Sequence, residues 1–221
     1  MGDCCHVPRG YDKLFGEKSA RREARRYRKK GLGDNEKRIV EFLRSRDLEG
    51  ASVLEVGGGV GTLEVELLKA GAARAVNVEL SPYYEDEARE LVREAGLEDR
   101  WEYRVENLAT NGEDIGPADA VVMHRVVCCD PDPDALVGAA AERTRRYLVM
   151  SFPRERVASH AFVGLINIVA RVLRWEHRSF VHPVATILGA AQRRGLRQVL
   201  EHRGFIWQIT ALERDSTTSV R

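Results

Sequence analysis

The 221-residue sequence lacks the cysteine pattern of a disulfide framework. Its four cysteines fall in two adjacent pairs, Cys4-Cys5 and Cys128-Cys129, and a bridge between neighbours closes no useful loop. The same spacing argues against a metal site, because two ligands from one segment normally stand two or more residues apart. No metal is expected. Long hydrophobic runs are missing too. The longest nearly uncharged apolar stretch, residues 161–170, is ten residues, half of what a bilayer crossing needs, and no apolar signal segment opens the chain. A soluble, cytoplasmic protein is the expectation. Apolar residues at 43% and charged residues at 31% indicate a globular chain with a sizeable core.

A formal net charge of +1 conceals an asymmetry. Residues 1–30 hold ten Lys or Arg against four acids, a net +6, and the remainder carries −5. Such an arm suits nucleic acid, an acidic membrane surface or a carboxylate-bearing substrate, or else pairs with its own body.

Past the arm the periodicity alternates between strand and helix. Residues 17–30 read as a charged helix with a narrow stripe of Ala20, Ala24 and Tyr27. Asp34 or Asn35 is expected to cap a second helix with Ile39, Val40 and Leu43 on its apolar face. Strands are predicted at 52–56, 75–79, 101–105, 118–123 and 146–151, with helices after the glycine turn, over 83–95 and over 132–144. Ser81-Pro82 reads as a cap with proline at the first helical position. Strands at 196–201 and 205–212 follow a long insert and lie close enough to form a hairpin. The pattern implies an α/β fold built of parallel βα units with a terminal antiparallel hairpin.

The strand, glycine turn and helix around Glu55-Val56-Gly57-Gly58-Gly59-Val60-Gly61 aim backbone N–H groups and a helix dipole at a nucleotide or carboxylate. A dinucleotide fingerprint would need glycine at the sixth position, where Thr62 stands. Glu79, 24 residues after Glu55, does not discriminate by itself, since a dinucleotide site also places an acid near there.

With that turn, Glu79, Leu80-Ser81-Pro82 and the terminal hairpin, the sequence resembles the class I S-adenosylmethionine-dependent methyltransferases over residues 34–152 and the hairpin. The resemblance implies a Rossmann-like, doubly wound, seven-stranded and mostly parallel sheet. It implies S-adenosyl-L-methionine as cofactor, held by Glu55, Gly57, Gly58, Gly59, Gly61, Glu79, Leu80, Asn107, Leu108, His124 and Arg125. Asn107 stands where the family often has an acid, a departure that leaves an uncharged amide oxygen for the adenine. Residues 1–33 are expected to act as a basic helical lid, and residues 34–221 as the methyltransferase domain, with the insert 153–195 as a substrate cap.

Methyl transfer from a sulfonium needs alignment and exclusion of water more than a base, so catalytic residues are hard to read. His124 is the first candidate for proton removal or orientation, with Tyr27 and His182 behind it, while His160, His177 and His202 read as surface or structural. Within the insert, His160, Gly164, Asn167, Arg171 and Arg174 recur at helical spacing with only apolar residues between them. A helix with so thin a polar stripe is buried or meets something greasy. This insert and Phe180-Val181-His182-Pro183 loosely resemble magnesium-protoporphyrin and quinone-pathway methyltransferases, which implies methylation at oxygen or carbon of a flat or lipophilic small molecule, an acidic one included. The rivals are an RNA methyltransferase using the arm and a protein that holds the cofactor without turnover. Against RNA, the basic helix carries one aromatic, Tyr27, for base stacking. Peripheral contact with a membrane stays open.

Overall fold

The apolar runs read as strands do pair. In a computed structural model that describes residues 11–215, one sheet contains β1 (Ser52–Val56), β2 (Arg74–Glu79), β3 (Trp101–Val105), β4 (Ala118–His124), β5 (Thr144–Pro153), β6 (Leu196–Arg203) and β7 (Trp207–Arg214). Their order is β3-β2-β1-β4-β5-β7-β6. The first five strands run parallel, and β7 lies antiparallel between β5 and β6. The expected doubly wound sheet with a terminal hairpin is therefore present. Cys4-Cys5 lies outside the described residues.

Side chains alternate across the central strands and both faces are covered, as a parallel sheet requires. On one face Val53, Ala120, Val122, Val149 and Ile209 pack under α3 (Asp34–Arg44), α4 (Thr62–Lys69) and α5 (Glu85–Glu94). On the other, Leu54, Val56, Val121, Met123, Leu148 and Met150 meet α7 (Pro133–Glu142) and α9 (Val184–Gln192). A third cluster forms where Ala20 and Ala24 of α2 (Glu17–Lys30) press fully buried against Tyr84, Ala88, Leu91 and Tyr103. Small residues let α2 approach closely, and ion pairs then fix it, Arg28 reaching Glu94 at 2.9 Å. The arm is thus docked on the body through its small stripe.

Several local expectations are corrected. The cap of α3 is Gly33, whose N–H donates to Glu36 three residues on, so neither Asp34 nor Asn35 serves. Ser81 does stand at the cap of the turn after β2 with Pro82 first inside it, but makes no side-chain cap bond; its hydroxyl donates to Phe15 O at 2.6 Å and ties down the chain between α1 (Tyr11–Leu14) and α2. Helix α5 begins at Glu85, after one 3-10 turn over Pro82–Tyr84. Asp132 does cap α7, accepting from Ala135 N at 3.0 Å. Strand β5 runs two residues further at each end than its apolar run: Thr144 pairs with Ala118 of β4 at the start, and antiparallel pairing with β7 continues to Pro153 opposite Trp207 at the end. At the other end of that pairing, Arg214 donates to Thr144 O at 2.6 Å. The insert forms α8 (Val157–Val172) and α9, joined by a segment that returns to the sheet where Phe180 N donates to Cys128 O at 2.8 Å.

Candidate active site

A cavity of about 510 Å³ opens at the carboxyl ends of β1, β2 and β4, the edge where an open α/β sheet binds ligands. Its floor is the glycine turn between β1 and α4. Gly57 has φ +68°, and a Cβ there would stand 2.7 Å from Val126 Cγ2. Gly59 has φ +55°, and both positions take a left-handed backbone that L side chains rarely adopt. Gly58 also lines the cavity, whereas Gly61 does not; it sits left-handed at the start of α4.

Six carboxylates, from Glu23, Glu36, Glu55, Glu79, Glu106 and Asp130, line this space. Glu79, at the end of β2, is buried; its two oxygens accept from Gly59 N at 3.1 Å and Ser81 N at 2.9 Å. Burial raises its pKa, and the Ser81, Gly59 and Leu80 N–H groups oppose the rise. Glu55 is buried with Oε2 unpartnered among the described residues, and its carboxyl is pushed well up by burial and then by Glu64, Glu36, Glu23 and Glu79. A cation placed beside it would oppose that shift and favour the charged form. Arg22, Arg26 and Arg125 stand around the same cavity.

His124 ends β4. Its Nδ1 lies 2.8 Å from Ser151 Oγ on the paired residue of β5, and its Nε2 is buried without a partner among the described residues. Burial, with Arg125 and Arg26 beside it, lowers the imidazole pKa to about 3. It is a neutral ring at physiological pH. Arg125, at φ +60°, donates its N–H to Ser151 Oγ at 3.1 Å and lays its guanidinium 4.9 Å from the Trp207 ring centre.

The structure brings Glu55, Gly57, Gly58, Gly59, Glu79, Leu80, Asn107, Leu108, His124 and Arg125 together around the cavity. Tyr27 and His182 are not among the residues that line it. Tyr27 lies in a separate groove and donates to Glu66 Oε1 at 2.5 Å. His182 stacks on Phe180, with Nε2 at 2.9 Å from Asp130 O. Asn107 spends its amide oxygen capping α6 (Leu108–Asn111) through Ala109 N at 3.0 Å. The neighbouring Glu106 instead presents a buried, unpartnered Oε2 at the cavity.

Sequence reasoning missed Glu106, Glu23 and His177. His177, read as surface or structural, is buried, lines the cavity and meets Phe15 edge to face at 5.4 Å. Arm and insert therefore touch over the cavity, although Phe162, Leu165, Ile166, Val169 and Leu173 of the helix expected to belong to a substrate cap do not line it. Cys129 does, with its sulfur 3.9 Å from that of Cys128. Among the described residues no group of three or more His, Cys, Asp or Glu is placed to hold a metal ion.

Beneath the turn, Glu64 is fully buried and accepts from Trp101 Nε1; burial raises its pKa to about 8. Its carboxyl is protonated in the fold at pH values where the unfolded chain has ionised. The stability this gives is complete below the ordinary carboxylate range and is lost as pH rises toward about 8. The ligand-free protein should therefore melt at falling temperature across that window, and Glu64→Gln should flatten the slope. A variant with the wild-type slope would place the titration elsewhere.

The orphaned oxygens of Glu55 and Glu106, the anchored Glu79 and the bare backbone of the turn fit a ligand with a cationic amino-acid part, a ribose and an adenine. The comparisons agree. Residues 21–206 match the family described as methyltransferase domain. The magnesium protoporphyrin IX methyltransferase of Synechocystis PCC 6803 with bound SAH superposes with a TM-score of 0.72 at 20% identity, over 92% of this chain and 97% of that one. An O-methyltransferase family 2 protein from Planctomyces limnophilus in complex with apigenin has a TM-score of 0.65 at 17% identity, over 90% and 62%. The ribosomal protein L11 methyltransferase of Enterobacter sp. (strain 638) is 35% identical over 85 residues, 38% of this chain and 28% of that protein. This chain thus spans under a third of the curated relative it matches. Fold and family match coincide: the chain belongs to the methyltransferase-domain family.

Proposed function

We propose that the enzyme methylates oxygen or carbon of a flat, lipophilic small molecule that carries an acidic group. The observation that carries this reading is the closure of the cavity by Phe15 against His177, an aromatic edge-to-face pair above the cofactor floor, with Arg22 and Arg26 beside it. An aromatic wall suits a ring, and the arginines suit a carboxylate or phenolate. The structural neighbours named for protoporphyrin and apigenin support a flat acceptor.

When bound, S-adenosylmethionine supplies an electrophilic methyl on a sulfonium. In our reading Glu55 takes the ammonium, Glu79 both ribose hydroxyls, and Glu106 with Asn107 and Leu108 the adenine. His124 is too weakly basic to hold a proton. Its Nε2 orients the acceptor by a hydrogen bond while Ser151 fixes the ring. The arm and His177 exclude water. Activity should accordingly show no acid limb from His124 near its ordinary pKa, and His124→Ala should lower kcat by about 10- to 100-fold with cofactor affinity little changed. A normal kcat in that variant would remove His124 from the site.

The L11 methyltransferase match favours a second reading, a macromolecular acceptor. Against an RNA-binding arm, Arg28 and Arg21 are engaged by Glu94, Glu87 and Glu17 of the protein itself. Supplying labelled S-adenosylmethionine to a cell extract separates the readings. Label in organic-extractable small molecules supports ours, and label confined to protein or RNA refutes it.

A further inference from the structure

Helix α8 is turned the wrong way for a wall of the active site. Among the described residues, the large exposed apolar side chains gather on it: Phe162, Leu165, Ile168, Val169, Val172 and Leu173. Leu165 is 62% and Val172 75% exposed. At ~100° per residue these residues fall on one continuous arc centred on Leu165. The opposite arc, Ser159, Val163 and Ala170, is buried against the body. Beyond the helix start, Phe205 on the β6–β7 turn is 75% exposed and lies 6.0 Å from the Arg156 guanidinium. Patches of this kind on a folded protein mark contact sites.

The rim of the patch is basic. Residues 154–178 hold five arginines against two glutamates. Arg156 stands before the helix, Arg171 in its last turn and Arg174 just past it, all exposed, with His160 exposed along one edge. Of the two acids, Glu155 is turned toward α9, where it accepts from Val184 N at 3.2 Å. We propose that α8 is an interfacial helix whose outward apolar face and arginine rim seat the enzyme on an anionic lipid surface. No helix among the described residues is long and apolar enough to cross a membrane, so α8 lies in the surface plane with its apolar arc down. A second copy of the chain is the poorer occupant, because two such faces packed head to tail set the positive end of one helix beside the positive end of the other. Anionic headgroups complement both ends at once.

The seating is wired to the site. The Asn167 amide on α8 holds both backbone groups of Ser179, at 2.8 and 2.9 Å. His177, two residues before, lines the cavity. A membrane-seated α8 thereby places the cavity mouth beside the phase in which a lipophilic acceptor dissolves. The lipid contact itself does not depend on which acceptor is methylated.

Vesicle co-sedimentation of the full chain, with no cofactor or acceptor, tests the proposal. The protein should sediment with phosphatidylcholine–phosphatidylglycerol vesicles, far less with phosphatidylcholine alone, and less at high salt. Leu165→Ser, Ile168→Ser and Val172→Ser together should reduce binding by about tenfold or more without changing the melting temperature. Arg156→Gln with Arg171→Gln should remove the preference for the anionic lipid. A protein that stays in the supernatant with both vesicle types overturns the proposal. So does a triple variant that binds like wild type, or a wild-type dimer in light scattering that the triple variant dissolves.

Discussion

Replacing Glu79 with Ala should weaken binding of S-adenosylmethionine by about 1–3 kcal/mol, roughly 5- to 150-fold in Kd. The carboxylate is buried at the end of β2, and each oxygen is already held by a backbone N–H, from Gly59 on one side and Ser81 on the other. Those bonds do not exhaust the oxygens; they aim the remaining lone pairs at the cavity, where two ribose hydroxyls would need acceptors. Alanine strands the two N–H groups and the hydroxyls together, and leaving buried donors unpaired costs more than the bond itself is worth. Gln at this position keeps one acceptor and should fall between the two. Calorimetry with S-adenosylmethionine and its demethylated product gives the measurement. Equal affinity in Glu79→Ala would put the ribose elsewhere.

Deleting residues 1–30 should abolish methyl transfer and also cost about 2–4 kcal/mol of stability, since burial of Ala20 and Ala24 is lost and Tyr84 and Leu91 are uncovered. A loosely hinged lid would leave stability intact. The packing of α2 on α5 and the Arg28–Glu94 pair hold the helix to the body, so gating of the cavity rests on Phe15 against His177. The substitution Phe15→Ala isolates that gating: it should lower turnover by about tenfold while leaving the melting transition nearly in place. Normal turnover in the truncated protein would show that the arm is no lid.

Both expectations rest on features that were unequally visible in the sequence. The strand–glycine turn–helix unit was legible because three independent signals agree there: an apolar run, positive-φ residues and a helical period. Glu79 was legible for the same reason, as the last residue of a short strand. The cavity's other carboxylates were not. Glu106 is adjacent to the residue that matches the family position, and only the cap formed by Asn107 shows which of the two faces inward. Glu23 belongs to a helix whose pattern announces a solvated basic surface. His177 comes to the cavity through a return of the chain set by Asn167 and by Phe180 on Cys128, contacts with no local signature. Strand ends also escaped, since the length of β5 is decided by its partners β4 and β7 rather than by its own residues. The apolar stripe of α8 was plain, but periodicity cannot distinguish a face that packs on the protein from one that faces outward.

The reversal of β7 has a practical corollary. Because this last strand runs against β5, the chain leaves the sheet at Arg214, which is pinned to Thr144 at the amino-terminal edge. Cavity, arm and the start of α8 belong to the opposite edge. An affinity tag or surface tether joined after residue 215 would hang the molecule with its mouth outward, leaving ligand entry and lipid contact unobstructed.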